Sequence, residues 1–128
     1  MRFPWRVSRL AEMTPGSRIF VAGHNGLVGG AITRNLRAAG YDNLIERSRA
    51  ELDLTRQVEV EAFFESERPE FVFLAAAKVG GIHANDTRRA EFIYQNMMIA
   101  ANVVEAAWRS GAKKLLFLGS SCIYPRMA

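Results

Sequence analysis

The stretch RIFVAGHNGLVGG (18–30) joins a short apolar run to a series of evenly spaced glycines. The run over 18–23 is rich in β-branched and aromatic residues, and it predicts a buried strand. Apolar residues then recur at helical spacing from residue 26, and Gly40 suits a helix C-terminus, so a helix is predicted over 26–40. The turn between strand and helix contains Gly23, Gly26 and Gly29.

These glycines have the spacing G-x-x-G-x-x-G, and each has a separate physical use. Gly23 permits a tight turn, Gly26 lets the backbone approach a diphosphate, and Gly29 lets the helix pack closely on the strand. The first amides of the helix also favour phosphate oxygens. The turn therefore predicts a dinucleotide site, with a structural turn that binds no ligand as the alternative. The other residues assigned to this turn are His24, Asn25, Leu27 and Val28.

The rest of the chain alternates between strand-like and helix-like segments. Strands are predicted over 43–47, 71–77 and 114–120, and helices over 55–69 and 87–111. Strands that alternate with helices imply a parallel sheet with right-handed crossovers. We therefore predict an α/β fold, a doubly wound parallel sheet of four strands in the order 3-2-1-4. Its fourth strand would be an edge that exposes apolar residues.

Some helix positions carry specific expectations. Thr55 suits the N-cap of the second helix. The first helix shows helical spacing through Leu27, Ile32 and Leu36, and the buried face of the second is expected to include Val58, Ala62 and Phe63. In the last helix the residues expected in the core are Met97, Met98, Ile99 and Trp108. Asn96, a polar residue in this apolar helix, is expected to hold a water or backbone near the site, or only to satisfy a buried hydrogen bond.

Length and composition limit the function classes. A chain of 128 residues has room for one domain, and 49% hydrophobic and 23% charged residues are typical of soluble globular proteins. No apolar run approaches the roughly 20 residues of a membrane span. The single cysteine predicts a reducing, cytoplasmic setting. The net charge is +4, and the basic residues are scattered rather than arranged in a stripe, which favours a nucleotide over nucleic acid as partner. No metal site is predicted.

The first 16 residues differ from the rest, with Arg2, Arg6 and Arg9 against one acid, Glu12. We interpret 1–16 as a disordered leader, with Met13 as the natural start, and a short amphipathic targeting arm is the alternative. Residues 17–128 are then expected to form the N-terminal part of a dinucleotide-binding domain.

The residues after the second strand are expected to recognise adenosine. A carboxylate there favours NAD, whereas arginine accommodates the additional phosphate of NADP, and the chain offers Glu46 followed by Arg47, Ser48 and Arg49. Two guanidiniums and a hydroxyl around one turn favour NADP(H), with Arg49 as the assigned ligand. Asp53, beside Leu54, could accept from the adenine amino group or could act as a helix cap.

Three further stretches are more specific than the glycine turn. They are FLAAAKVGGIHAN (73–85), FIYQNMMIAANVVEAA (92–107) and FLGSSCIYP (117–125). With them the chain resembles the GDP-L-fucose synthases, a family of extended short-chain dehydrogenase/reductases. The resemblance implies NADP-dependent conversion of GDP-4-keto-6-deoxymannose to GDP-L-fucose. Carbons 3 and 5 of the sugar would be epimerised, and the ketone between them would be reduced.

The resemblance also implies roles for individual residues. Ser120 matches the serine that polarises the keto oxygen, and Cys122 matches the cysteine that moves protons during epimerisation. Without that resemblance, a lone cysteine such as Cys122 is more often an inert buried residue than a reactive one. The residues implied to lie along the cofactor are Ala75, Ala76, Ala77, Leu118, Gly119, Ser120 and Ser121, with Lys78 and Val79 in the loop that follows β-strand 71–77.

Other features of the resemblance concern the part of the enzyme beyond this chain. The family uses a Tyr-x-x-x-Lys pair, and Tyr124 is followed four residues later by Ala128. We therefore expect an N-terminal fragment without turnover of its own, and a homodimer at full length. Two alternatives stay open. One is another nucleotide-sugar epimerase or dehydratase, and the other is a non-catalytic nucleotide-binding or interaction module.

Overall fold

The computed structural model describes residues 12–79 and 82–119. Of the segment interpreted as a leader, residues 1–11 lie outside the described part, while Met13 packs against the core. The elements are β1 (Ile19–Ala22), α1 (Leu27–Ala38), β2 (Leu44–Ile45), α2 (Gln57–Glu67), β3 (Phe71–Leu74), α3 (Ile82–Thr87), α4 (Arg89–Arg109) and β4 (Lys114–Phe117). Within these residues, no helix combines the length and apolar character needed to cross a membrane.

The four strands form one parallel sheet, which confirms the predicted fold class. Ile19 lies opposite Leu44 on one side and Phe71 on the other, and Phe71 lies opposite Lys114. The order is β2-β1-β3-β4, so the predicted order 3-2-1-4 is wrong. That order would have placed β3 at an edge. Its residues are almost entirely apolar and buried, and such a strand needs a neighbour on both sides.

The helices divide between the two faces of the sheet. In the sheet, β2 lies on one side of β1, and β3 and β4 follow on the other side. The connection from β1 to β2 and the connections to β3 and β4 therefore cross the sheet in opposite directions. Since parallel crossovers are right-handed, this reversal places α1 on one face and α2 with α4 on the opposite face. The buried side chains form two clusters accordingly, one beside Leu36 of α1 and one beside Val60 of α2 and Val103 of α4.

The larger cluster is centred on three phenylalanines from β1 and α2. The ring centroid of Phe20 lies 4.6 Å from that of Phe63 and 5.9 Å from that of Phe64. Both α2 rings point to the sheet, together with Val60, which confirms Phe63 as a core residue. Val58 and Ala62 lie on the exposed side of α2, so their predicted burial is wrong.

The beginning of α2 also differs from the prediction. Its N-cap is Arg56, and the cap position has no side-chain hydrogen bond to the helix. The hydroxyl of Thr55 instead donates to Asp53 Oδ1, at 2.7 Å. Thr55 is therefore not the N-cap, because the carboxylate of Asp53 takes its hydroxyl in the preceding turn.

The helix predicted over 87–111 corresponds to α4, and α3 is a short additional helix before it that was not predicted from the sequence. Ile99 packs against the larger cluster, as expected, but the side chains of Met97 and Trp108 are 64% and 76% exposed. Their predicted burial is wrong because α4 is apolar on two faces and only one of them meets the sheet. The exposed apolar edge expected for the last strand is confirmed at Leu116 and Phe117 of β4.

Glu70 connects the amino-terminal ends of β1, β3 and β4 through hydrogen bonds. Its carboxylate accepts from the backbone amide of Arg18 at 3.0 Å and from Lys113 Nζ at 2.7 Å. Its own backbone carbonyl accepts from the amide of Lys113, at 2.8 Å. The ammonium of Lys113 and the Arg18 amide lower the pKa of Glu70, since they stabilise its ionised form.

This lowered pKa predicts a pH-dependent contribution to stability. We expect Glu70→Gln to lower the free energy of unfolding by about 1 kcal/mol at neutral pH, because the charge-assisted hydrogen bonds are weakened. The difference from wild type should disappear as pH falls through the pKa of the folded-state carboxyl, since protonated Glu70 resembles glutamine. Urea denaturation at several pH values measures this. Glu65→Gln, on the exposed side of α2, is the control, and an equal effect of both substitutions would contradict the assignment.

Candidate functional site

A cavity of about 570 Å³ opens at the carboxyl ends of β1 and β3. The chain reverses its direction through the sheet between these two strands. In open α/β sheets, the connections diverge at such a point and leave a crevice for a ligand. The walls come from the β1–α1 turn, the segment after β2, the segment after β3, and one side of α4.

The β1–α1 turn is a place of very close backbone contact. Gly23 has φ +86°, and a Cβ there would lie 2.7 Å from the backbone nitrogen of Ala76. A Cβ on Gly29 would overlap the carbonyl of Gly23. These two glycines are therefore required by the packing of strand, turn and helix, as the spacing predicts for Gly29.

Gly26 is in a different situation. It has φ −80°, and the nearest atom to an added Cβ would be Gly23 O at 3.3 Å. Neither the backbone conformation nor the packing therefore requires glycine at this position. Gly26 is the N-cap of α1, which has no side-chain cap and no acidic residue in its first turn. The first amides of α1 therefore have no side-chain acceptor from the cap, and Gly26 has no side chain that would keep a ligand away from them. Such a helix N-terminus can bind an anionic group such as a diphosphate.

Leu27 follows directly and also borders the cavity. It is 90% exposed, so it lies off the buried face of α1 although it shares the helical spacing of Ile32 and Leu36. The turn at Gly26 sets α1 so that its buried face begins at Gly29. An apolar side chain at the cavity mouth gives a ligand a surface to pack against.

The segment after β2 has a different charge arrangement from the one expected. Arg47 donates to Glu67 at 2.8 Å and lies over the Phe63 ring, with 5.6 Å from Cζ to the centroid. The hydroxyl of Ser48 donates to Glu51 at 2.7 Å. Two of the three groups of the predicted phosphate cradle, Arg47 and Ser48, thus have partners within the protein. Glu46, the competing carboxylate, is paired with Arg37 at 2.9 Å.

Arg49 remains as the exposed cation on this side of the cavity. It borders the cavity and has no carboxylate within 4.0 Å among residues 12–79 and 82–119. This supports the assignment of Arg49, rather than Arg47, as the group available to an additional phosphate.

Asp53 also borders the cavity, in a turn of its own. Its Oδ1 accepts from the hydroxyl of Thr55 at 2.7 Å and from the Thr55 amide at 3.0 Å. The Thr55 hydroxyl, followed by its amide, lowers the pKa of Asp53 because both donate to the ionised form. The observed contact is thus that of a turn-forming aspartate.

The segment after β3 forms the opposite wall. The Ala75 amide donates to Ala22 O at 3.0 Å, which keeps this segment against β1. Asn96 of α4 bonds the next part twice, because Oδ1 accepts from the Lys78 amide at 2.7 Å and Nδ2 donates to Lys78 O at 3.1 Å. This confirms the expectation that Asn96 holds backbone near the site.

The cavity contains many of the residues predicted from the sequence. The predicted cofactor residues that line it are Gly23, Gly26, Leu27, Val28, Arg49, Asp53, Leu54, Ala75, Ala76 and Ala77. The described ones that do not line it are His24, Asn25, Gly29, Leu118 and Gly119. Ser120, Ser121 and Cys122 lie outside the described residues.

Several lining residues were not assigned to the site from the sequence. They are Leu52, Thr55, Gln95 and Ile99. Gln95 and Ile99 are four residues apart and so share one face of α4, and that spacing is the signal that could have found them. Apolar, amide and cationic groups together suit a large, partly charged ligand. Among residues 12–79 and 82–119 there is no group of metal-ligating side chains.

The sequence and the fold of this chain are similar to those of known proteins. Residues 19–128 match the model of the NAD dependent epimerase/dehydratase family. The chain belongs to this family. It is 58% identical over 122 residues to GDP-L-fucose synthase 1 of Arabidopsis thaliana, covering 94% of this chain and 38% of the relative. It is 57% identical over 111 residues to the GDP-L-fucose synthase of Escherichia coli, covering 87% and 35%.

A solved structure is similar as well. It is a GDP-mannoheptose C4 reductase from Campylobacter jejuni with NADP bound, which superposes with a TM-score of 0.87 at 44% identity. The alignment covers 91% of this chain and 37% of that one. The resemblance to GDP-L-fucose synthases is thus confirmed, and the chain spans just over a third of the length of these relatives.

The different surroundings of the glycines predict different effects of substitution. We expect Gly29→Ala to lower the free energy of unfolding by about 3 kcal/mol or more, because its Cβ would overlap the Gly23 carbonyl. Gly26→Ala should cost less than about 1 kcal/mol, because φ is compatible and only one contact is tight. Urea denaturation of both variants measures this, and equal destabilisation would contradict the packing described here.

Proposed function

We propose that the full-length protein containing this chain is an NADP-dependent epimerase/reductase that acts on a GDP-4-keto-6-deoxy sugar to form GDP-L-fucose. Residues 17–128 would be the N-terminal part of its dinucleotide-binding domain. The observation that carries the proposal is the uncapped first turn of α1 at Gly26, which opens into the cavity between the ends of β1 and β3. The identity to GDP-L-fucose synthases supports the choice of substrate.

The cavity residues fit the three parts of a dinucleotide. The amides at the beginning of α1 would hold the diphosphate. Arg49 and Asp53 would contact the phosphorylated adenosine, and Ala75, Ala76 and Ala77, having small side chains, would leave room for the ribose and nicotinamide. When bound, NADPH would supply the hydride that reduces the ketone.

The reactive residues of the proposal follow β4 in the chain. Ser120 would hydrogen-bond the keto oxygen of the sugar and so favour charge development on that oxygen. Cys122 would remove and return protons at the carbons beside the ketone, since a thiol can cycle near neutral pH. The tyrosine and lysine pair implied by the resemblance would come from sequence beyond this chain. A cytoplasmic location stays a prediction from cysteine usage.

A second candidate is reduction without epimerisation. The similar structure is a C4 reductase for a GDP-mannoheptose, so the same fold serves a GDP-sugar with a different sugar part. The two activities share the cavity described here and would differ in proton transfer at the carbons beside the ketone. A non-catalytic nucleotide-binding module is a third candidate, and only the exposed edge of β4 favours it.

We also propose that the full-length protein is a homodimer that uses α4. The exposed side of this helix carries Ile93, Met97, Val104 and Trp108, which recur at nearly helical spacing. A continuous apolar stripe of this kind is typical of a helix that packs against another helix. A sedimentation-velocity mass of a single full-length chain would contradict this part of the proposal.

The activity is tested with the full-length protein, GDP-4-keto-6-deoxymannose and NADPH. We expect GDP-L-fucose as product, together with exchange of the protons on carbons 3 and 5 in D₂O. Cys122→Ser should slow that exchange by about a hundredfold or more, because a serine hydroxyl is a much weaker acid than a thiol and does not ionise near neutral pH. Reduction of the unepimerised ketone should continue. Loss of reduction and exchange together would show that Cys122 has a structural role, and wild-type reduction without exchange would favour the second candidate.

The cofactor preference is tested at Arg49. We expect Arg49→Gln to weaken NADPH binding by about tenfold, because a charge-assisted contact to the additional phosphate is lost, and to leave NADH binding unchanged. Isothermal titration of both cofactors measures this. Arg56→Gln is the matched control, since Arg56 is exposed nearby but does not line the cavity. If Arg49→Gln weakens both cofactors equally, the contact with the additional phosphate is refuted.

A further inference from the structure

A buried asparagine of α4 is bonded to the segment after β2. Asn102 is 8% exposed, and its Nδ2 donates to the backbone carbonyl of Leu54 at 2.9 Å. The two residues are 48 positions apart in the sequence. A buried amide side chain is costly unless it is hydrogen-bonded, so this bond fixes the position of Leu54 relative to α4.

Leu54 lies in the middle of the turn that presents Asp53 to the cavity. On its two sides, the Asp53 carboxylate and the Thr55 amide and hydroxyl are hydrogen-bonded to each other. Leu52 is buried in the larger cluster, and Leu54 packs against it. The Leu54 carbonyl is thus the point at which α4 holds this turn, while the Asp53 amide donates to Glu59 Oε2 of α2 at 3.1 Å.

Asn96 holds the opposite wall in a comparable way, through the amide and carbonyl of Lys78. One helix therefore supports both walls of the cavity through two separate asparagines. The turn held by Asn102 contains Asp53, and the segment held by Asn96 follows the three alanines after β3. The two bonds share no residue, so each wall can be disturbed independently.

We propose that Asn102 is a positioning residue for the adenosine half of the dinucleotide, and that Asn96 positions the wall facing the other half. This inference rests on the proposed cofactor. Asn102 does not line the cavity and acts through Leu54, by keeping Asp53 where its carboxylate can meet the adenine. Without the bond, the carbonyl of Leu54 would lose the Asn102 donor, and the turn would shift to regain one.

The test compares two probes on the full-length protein. Adenosine 2′,5′-bisphosphate represents the adenosine half, and NADPH represents the whole cofactor. We expect Asn102→Leu to raise the Kd of both probes by the same factor of about ten, as for the loss of one buried hydrogen bond. Asn96→Leu should raise the Kd of NADPH and leave that of the bisphosphate unchanged.

Two further variants separate positioning from general loss of structure. Thr33→Val changes another buried polar residue, on the opposite face of the sheet, and should bind both probes as wild type does. Asn102→Asp keeps the shape of the side chain, and only its protonated form can donate to Leu54. The affinity of Asn102→Asp for the bisphosphate, compared with that of wild type at the same pH, should therefore recover as pH is lowered. This measurement tests the role of Asn102 even if Asn102→Leu does not fold.

The outcomes distinguish this inference from the proposed function. Wild-type protein that binds neither probe would refute the proposed cofactor. Wild-type binding together with an unchanged bisphosphate Kd in Asn102→Leu would refute the role of Asn102 alone. Equal loss of the bisphosphate in the Asn96 and Asn102 variants would show that the two walls are not positioned separately, and would also overturn the inference.

Discussion

The backbone contact at Gly23 is the constraint on which the site depends. There the chain leaves β1 with a positive φ and passes so close to Ala75 and Ala76 that no side chain fits between them. The same turn brings its carbonyl against Gly29, so that α1 begins directly at the end of the strand. Because these contacts join β1, β3 and α1, they fix the direction in which the first amides of α1 point. The cavity is the space that remains in front of them.

The second support of the site is α4, which combines two kinds of contact. Its buried apolar face, including Val103 and Ala106, fills the core beneath the sheet. Its asparagines hold the segments that rise from the ends of β2 and β3. Apolar packing is non-directional and can place the helix only approximately, whereas a hydrogen bond specifies a distance and an angle. The packing thus places α4, and the two asparagines fix the cavity walls against it.

Ion pairing within the protein distinguishes the two arginines beside the cavity. Arg47 and Arg49 are two positions apart, but only Arg47 lies beside Glu67 and the Phe63 ring. Its guanidinium therefore contributes to the protein's own packing, whereas Arg49 borders the cavity and has no carboxylate partner within the part of the chain that the structure describes. In the same way the pairing of Glu46 with Arg37 reduces the repulsion that this carboxylate would exert on a phosphate.

Much of this protein was determined by local sequence. The apolar runs of β1 and β3 and the helix-ending glycines at 40 and 111 each act on their immediate neighbours, and these were confirmed. The strand order, the exposure of Leu27, Met97 and Trp108, the partner of Arg47 and the anchor of Leu54 depended on the tertiary structure. They involve residues far apart in the chain, and a pattern within one segment does not specify which distant segment will face it.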